Sequence, residues 1–408
     1  MNDHGLTSLE SALKDAFCKP EGVIYLDAAA TAPRFRAGVE RMDRFYADEN
    51  ANIHRGTYPL SIRATNAYEE ARGTVANLLF HASTADEVVF TGGATDSANM
   101  LAHGLAHLVD AGSNIVVSVL EHHSNLLPWK RVADERGAEL RIAPCTYDGA
   151  LDMDACTAMI DGRTRIVALT GQSNVTGFRP DLSRVAEAAH GQGAILVIDA
   201  AQRAAHGELD VSDGGADAVF VSAHKLGGPM GVGALWATTT VLEELEPLRL
   251  GGGAVASVAP DGTAELAGIP QRFEAGTQDV AGVLGFAAAL EERERLGCRA
   301  LFEHEATLAD RLRAGISDED SELELLPAEE GDPIIAIVPR RCSAYDFGTL
   351  LASECVAVRS GRHCAHPYLD ALGVEGVCRL SLSIATTVRE VDDALEAIRW
   401  VCGYLGGV

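Results

Sequence analysis

Asp217-Ala218-Val219-Phe220-Val221-Ser222-Ala223-His224-Lys225, followed by Leu226-Gly227-Gly228-Pro229, reads as a buried strand with an unusual end. The apolar run stops at polar residues and a lysine, then breaks at glycines and a proline. The chain has only four lysines, Lys14, Lys19, Lys130 and Lys225, and carries most of its positive charge as arginine. A lysine at a strand exit here calls for a property that arginine lacks. Its ammonium loses a proton when desolvated, and the free amine condenses with an aldehyde. A surface lysine at a turn is the plain alternative, and the neighbouring strands decide between the two.

Upstream, residues 87–90 form a strand that runs into Thr91-Gly92-Gly93-Ala94-Thr95-Asp96 and opens a helix through Leu105. Glycines, a hydroxyl and a helix N-terminus together suit a phosphate. The pattern is neither GxGxxG nor a P-loop, which counts against dinucleotide or ATP binding. Residues 114–119 form the next strand and end in Glu121-His122-His123-Ser124-Asn125. Those histidines could bind a metal, stack on a ring or satisfy loop hydrogen bonds; no third ligand stands nearby at metal spacing. Residues 165–169 lead to Gln172-Ser173-Asn174-Val175-Thr176-Gly177. The continuous apolar run 194–198, expected of a parallel strand covered on both faces, ends in Asp199-Ala200-Ala201-Gln202. A carboxylate there is costly unless it meets a cation, such as a protonated pyridine nitrogen. Thr95, His122, Asn174, Asp199, Ser222, His224 and Lys225 thus all follow strands that alternate with helices. An open parallel sheet gathers such exits on one edge.

The remaining segments supply the frame. Residues 27–33 form a small-residue loop that a ligand can approach closely, and an amphipathic helix covers about 60–80. A glycine run, 251–253, begins a loop-rich section. A helical stretch at 280–312 bridges towards a second domain, and residues 317–332 form an acidic surface connection. Strand-like pieces at 334–338 and 355–359 precede Arg359-Ser360-Gly361-Arg362-His363-Cys364-Ala365-His366-Pro367, and an amphipathic helix at 391–404 ends the chain. The expected division is an N-terminal segment, 1–23, packing with the small domain, a large domain, 24–290, and a small domain, 291–408, that carries Cys364.

The composition excludes several classes. A hydrophobic content of 47% over 408 residues fits a folded, soluble chain. A net charge of −26 disfavours nonspecific binding to nucleic acid or anionic membranes. No apolar run reaches the roughly 18 residues of a membrane span. Residues 1–19 lack a signal-peptide core. Nine cysteines, an odd number with no CxxC pair, predict reduced thiols and a cytoplasmic location.

In order and spacing, several of these stretches resemble the class V aminotransferase family of fold-type I pyridoxal-phosphate enzymes, specifically its group II cysteine desulfurases. They are Asn52-Ile53-His54-Arg55-Gly56, Glu121 to Asn125, Asp199 to Gln202, Ser222 to Lys225, Phe273-Glu274-Ala275-Gly276-Thr277 and Arg359 to Ala365. The resemblance implies an α/β fold, with a large, mostly parallel sheet domain and a smaller α+β C-terminal domain. It implies attachment of pyridoxal 5′-phosphate at Lys225, His122 against the ring, Asp199 on the ring nitrogen and Gln202 on the ring hydroxyl. Thr95, Ser222 and His224 would hold the phosphate, with Thr277 reaching in from the other subunit of a homodimer. Asn174, Arg359 and Arg379 would take the substrate carboxylate, and Cys364 would accept sulfur. No metal is implied.

The implied reaction converts L-cysteine to L-alanine with a persulfide on Cys364, for delivery to an acceptor protein in iron–sulfur assembly or specialised metabolism. Selenocysteine lyase, cysteine sulfinate desulfinase and other class V transaminases or lyases share most of these groups. Arg359, Arg362 and His363 surround Cys364 in sequence, a setting that favours a thiolate. Two positions depart from the family pattern: Arg362 stands where a histidine is usual, and Asp96 where glutamate is usual. The histidine common near Cys342-Ser343-Ala344-Tyr345-Asp346, where acceptor proteins often dock, is missing.

Overall fold

The computed structural model describes residues 12–211, 215–317 and 322–406. Residues 1–11 of the expected N-terminal segment and 318–321 of the expected acidic connection lie outside them. The central sheet contains β1 (Val88–Thr91), β2 (Asn114–Ser118), β3 (Glu139–Ala143), β4 (Thr164–Thr170), β5 (Ile195–Asp199), β6 (Ala218–Ser222) and β7 (Gly233–Ala237). Its order is β1-β7-β6-β5-β4-β2-β3. The run from β6 to β3 is parallel, and β7 is antiparallel to both β1 and β6.

Side chains in these strands alternate between two cores. Val167 and Leu169, Leu196 and Ile198, and Val219 and Val221 enter one cluster. Ile166 and Ala168, Val197, and Ala218 and Phe220 enter the other. This period of two leaves both faces apolar and both in need of helices. On the first face lie α1 (Pro59–Leu78), through Tyr68 and Val75, and α4 (Leu182–Gly191), through Val185 and Ala189. The second is covered by α2 (Ala94–Gly104), through Ala98 and Leu101, and α3 (His123–Arg136), through Leu126 and Trp129.

The sequence reading contains no strand at β7. A parallel return from β6 needs a crossover of about a dozen residues or more, and the 223–232 link is shorter, so the chain turns back with Gly233 opposite Ser222. Lys225 sits in that turn. Ala223 donates its N–H to Val232 O (3.0 Å), and Leu226 and Gly228 donate theirs to Ala223 O (2.9 Å each). A Cβ at Gly233 would lie 2.5 Å from Gly93 Cα, so a missing side chain lets the 91–93 turn pack directly against β7.

A second sheet, β8 (Leu323–Leu325), β9 (Ile334–Pro339), β10 (Arg359–Gly361) and β11 (Val377–Ser381), is antiparallel in the order β8-β9-β11-β10. The expected helical stretch 280–312 is two helices, α5 (Val280–Leu296) and α6 (Cys298–Ser317), divided at Gly297 with φ +89°. The break has a packing cause. Val283, Leu284 and Phe286 of α5 join the first core, whereas Leu308 and Leu312 of α6 pack on the second sheet, beside α7 (Ala344–Ser353) and α8 (Val388–Gly406). The strand-like piece 355–359 also divides. Val356–Ala357 pairs in parallel with Ile24–Tyr25, and Asp27 bridges Ser381, so residues 24–27 add to the C-terminal unit. Among the described residues no helix is long and apolar enough to cross a membrane.

Candidate active site

Thr95, His122, Asn174, Asp199, Gln202, Ser222, His224 and Lys225 line one cleft at the carboxyl edge of the large sheet, and Arg359 and Arg379 close it from β10 and β11. Ala29 and Ala30, from the small-residue loop near the N-terminus, form part of its wall. Thr277 is elsewhere. It lines a separate cleft with His54, Arg55, Gly252 and Gly253.

One end of the main cleft is built for an anion. Ala94 donates its N–H to Ser222 Oγ (2.8 Å) at the start of α2, and Thr95 lies exposed in the first turn. The helix N-terminus therefore presents two hydroxyls beside its own N–H groups. His224 Nδ1 lies 3.2 Å from Thr31 Oγ1. Burial pulls the His224 pKa down to about 4, with the charges of Lys225 and Arg34 adding to the effect. This imidazole is neutral near pH 7.

The middle of the cleft suits a flat, protonated heterocycle. Asp199 is buried and accepts one N–H, from Ala201 (2.9 Å). Burial raises its pKa, and the Lys225 ammonium opposes that rise. Gln202 Nε2 donates to Ala29 O (2.9 Å), while its Oε1 is buried without a partner. Ser124 donates its N–H to His122 Nδ1 (3.2 Å). Burial lowers the His122 pKa to about 3, helped by Lys225, so its ring is an uncharged plate. The Lys225 pKa falls to about 8 through burial. Asp199 resists the fall, and Arg379 and Arg359 add to it.

The far end is cationic. Arg359 and Arg379 stand directly opposite each other across β10 and β11, an arrangement that costs energy unless an anion lies between or beside them. Arg379 is fully buried, with Nη1 donating to Asn174 O (2.8 Å) and Nη2 to Asp27 Oδ1 (3.1 Å). Its Nε and Asn174 Oδ1 have no partner. Burial brings the Arg379 pKa down to about 10, against the pull of Asp27.

Cys364 stands at the edge of this end, its Sγ 4.0 Å from Arg359 Nη2. His363 and Cys364 have φ values of 49° and 55°. Consecutive left-handed residues cost about 1–2 kcal/mol each, so the loop needs anchors. His123 donates its N–H to Cys364 O (2.8 Å) and Asn174 Nδ2 donates to His363 O (2.9 Å). His363 Nε2 lies 3.1 Å from Val377 O, and burial lowers its pKa to about 3. Arg362 turns away to the Asp370 carboxylate and His366 O. Of the three cationic neighbours expected around the thiol, Arg359 alone approaches it as a charge. Arg362 has a carboxylate of its own, and His363 is buried and neutral.

Three contributors escaped the sequence reading. Asp27, inside a stretch read only as a loop, orients Arg379. Glu121 lies buried between β2 and β4, accepting from Ser118 Oγ (2.5 Å), Thr170 N–H (2.9 Å) and Asn125 Nδ2 (2.7 Å), and burial pushes its pKa up to about 8. Gln172 Nε2 donates to Asp332 Oδ2 (2.8 Å). A Cβ on Gly177 would fall 1.9 Å from Asp332 Oδ1, which explains the glycine there. Asp96 caps Gly92 N–H (2.9 Å) and pairs with Arg249.

The sequence pattern of class-V aminotransferases matches residues 24–394. The chain belongs to the class-V aminotransferase family. This family uses pyridoxal 5′-phosphate, and the donor set described above fits that group: an amine of lowered pKa, a buried carboxylate, an anion-binding helix start and an unpartnered buried amide oxygen. Within the family, a cysteine desulfurase of Dickeya dadantii is 37% identical over 94% of this chain and 92% of its own length. One from Klebsiella pneumoniae is 37% identical over 94% of both. Among solved structures, the Escherichia coli cysteine desulfurase CsdA superposes with a TM-score of 0.90 at 34% identity, covering 97% of this chain and 98% of its own. An apo cysteine desulfurase of Thermococcus onnurineus gives 0.91 at 32% identity, over 98% of both.

Proposed function

We propose that this class-V family member is a pyridoxal-phosphate-dependent cysteine desulfurase that converts L-cysteine to L-alanine and leaves the sulfur on Cys364 as a persulfide. The observation that carries the reading is the placement of Cys364. Its loop is strained, tied to Asn174 and to the strand exit at His123, and set beside the paired arginines. A thiol placed so at the carboxylate end meets the sulfur of an α-amino acid rather than its amine.

Lys225 would hold the cofactor, with Asp199 at its ring nitrogen, Gln202 at its ring hydroxyl, His122 on its face, and Thr95, Ser222 and His224 at its phosphate. When bound, pyridoxal phosphate supplies an electron sink for carbanion chemistry at the amino acid. Arg379 and Arg359, with Asn174, fix the substrate carboxylate by charge-assisted hydrogen bonds. Lys225, with its pKa near 8, is the base and acid suited to moving a proton near neutral pH. Cys364 attacks as the thiolate. Its Sγ bonds to the substrate sulfur, the carbon–sulfur bond breaks, and the carbon keeps the electron pair and takes a proton. A thiol and cysteine thus become a persulfide and alanine, with no outside oxidant.

The same reading makes the enzyme a homodimer, because Thr277 and the His54-Arg55 loop line a cleft away from their own Lys225. It keeps the division into an N-terminal segment, a large cofactor domain and a small domain that carries the Cys364 loop. It also places the enzyme in the cytoplasm, passing sulfur to an acceptor protein, as in iron–sulfur cluster assembly.

Cys364→Ser tests the assignment. The variant should retain pyridoxal phosphate and bind cysteine, since the groups for both lie elsewhere. It should lose alanine formation from cysteine, because a serine hydroxyl is a poor nucleophile without its proton removed. Wild-type protein, treated with cysteine, alkylated and digested, should carry one extra sulfur on the Cys364 peptide. Alanine production by Cys364→Ser at the wild-type rate would move the enzyme to another class V chemistry.

A further inference from the structure

We infer that a chain of polar contacts, running from His54 at the surface through half-buried Glu69 to the buried Arg72–Glu274 pair, holds the His54-Arg55 and Gly276-Thr277 loops in register as one unit that completes the active site of the opposite subunit. The inference rests on the desulfurase dimer proposed above and assigns a positioning role to residues lying outside the cofactor cleft.

Arg72 and Glu274 have 1% and 2% of their side-chain surface exposed. The contact is a fork: Arg72 Nη1 donates to Glu274 Oε1 (2.6 Å) and Nη2 to Oε2 (2.9 Å). Glu274 also accepts from Tyr68 Oη (3.0 Å) and from the Phe90 N–H (2.7 Å), which anchors it to β1. On the other side Arg72 Nε donates to Glu69 Oε2 (2.8 Å), and Glu69 Oε1 lies 2.9 Å from His54 Nε2. The guanidinium lies against both the Tyr68 and Phe90 rings, 5.2 and 5.0 Å from their centroids, and those two rings meet edge to face. The ends of this chain are the two loops. His54 adopts φ 71° and Gly276 φ 92°, and both line the separate cleft with Thr277.

A fully desolvated ion pair is weak evidence for stability, because its desolvation cost offsets most of its attraction. What it supplies is geometry, since a bidentate fork tolerates little rotation. Here the fork ties Arg72 of α1 to Glu274, about two hundred residues on, at the base of the Gly276-Thr277 loop, and Glu69 extends the contact to the His54 loop. Both loops are exposed at their tips and neither reaches its own Lys225 cleft. An exposed pair of loops on a rigid buried base is suited to insertion into a second copy of the chain.

Mixed dimers carrying two different affinity tags test this. Each contains one Lys225→Ala chain, so a single competent site remains, and dimers of Lys225→Ala with wild type are the reference. In the first arm Glu274→Gln is on the Lys225→Ala chain, and the competent site receives the altered loops. Pyridoxal phosphate retention at that site, followed by absorbance during gel filtration, and cysteine turnover should both fall on the order of tenfold to a hundredfold. In the second arm Glu274→Gln is on the chain that keeps Lys225, and both readouts should match the reference. Glutamine retains an oxygen for the Phe90 N–H, so the cis contact with β1 survives. Equal losses in the two arms, or a loss in the second alone, would overturn the inference. Should Glu274→Gln fail to yield folded protein, Glu69→Gln, at a half-buried site, cuts the His54 branch and must show the same asymmetry. Symmetric behaviour of Glu69→Gln would likewise overturn it. A chain that forms no dimer in sedimentation would sink the dimer reading itself, and that outcome is seen before any mixed dimer is made.

Discussion

Replacing Asp27 with asparagine removes the carboxylate facing buried Arg379 while keeping the shape of the side chain. The two charges meet at 3.1 Å, worth about 5 kcal/mol at an effective dielectric of about 20. Burial nevertheless raises the Asp27 pKa in spite of Arg379, so the carboxylate's own desolvation offsets most of that attraction and the net cost of the substitution falls to about 1 kcal/mol. Spread over 408 residues, with an unfolding entropy of about 2.1 cal/mol/K per residue, this lowers Tm by about 1 °C. The informative measurement is a second melting curve with L-alanine, the proposed product. In Asp27→Asn the cleft keeps both arginines and loses the carboxylate that pairs with Arg379, so an amino-acid carboxylate should replace it. Thermal shift of the holoenzyme should therefore show a larger alanine-dependent rise in Tm for the variant than for wild type. Equal rises, together with an unchanged Tm without ligand, would refute both the pairing and the placement of the carboxylate site.

Two further outcomes follow from the titrating groups. Lys225, with its pKa lowered to about 8, is protonated below that pH, so the rate at which apoenzyme takes up pyridoxal phosphate should rise up to about pH 8 and then level off; a flat profile from pH 6 to 9 would argue against this lysine as the attachment point. His122, His224 and His363 have folded pKa values of about 3, 4 and 3, below an unfolded value of about 6.5. Their folded forms refuse protons that the unfolded chain accepts, so their contribution to stability is present above about pH 6.5 and is lost as pH falls towards 3–4. Denaturant titrations of the apoenzyme between pH 7 and 4 should show that decline, and replacing His363 with a neutral residue should flatten it.

The strand exits were legible because chemistry and pattern coincide there. A buried apolar run can end in Asp199 or Lys225 only where a partner offsets the charge, and those runs alternate with helical segments. β7 was not legible, because its five residues look like any apolar run and only the short link from β6 dictates its direction. Nothing in the spacing distinguishes one long helix at 280–312 from two; the division depends on which core each half joins. Arg362 shows the limit of reading charge from neighbours in sequence. The chain turns after it through the left-handed His363 and Cys364, and its guanidinium goes to Asp370. Asp27 and Glu121 act through space on residues far along the chain, Arg379 and Thr170, and no local pattern announces them.

The features that mark this cleft are each unfavourable to the protein alone. Two arginines face each other across a pair of strands, a carboxylate is buried with one N–H, and a lysine is desolvated enough that its pKa falls to about 8. Two residues of the Cys364 loop hold a backbone conformation that costs energy. Such costs persist where the surrounding structure overdetermines them. Here the surroundings are a core shared by the large sheet and the C-terminal segment, through Ala365, Tyr368 and Val377, with Asn174 bonded to His363 and Gln172 to Asp332. The electrostatic costs among these are offset by a ligand that brings an aldehyde, a protonated ring and a carboxylate. The unfavourable terms therefore specify the ligand more narrowly than the favourable packing around them, which any pair of apolar cores would supply.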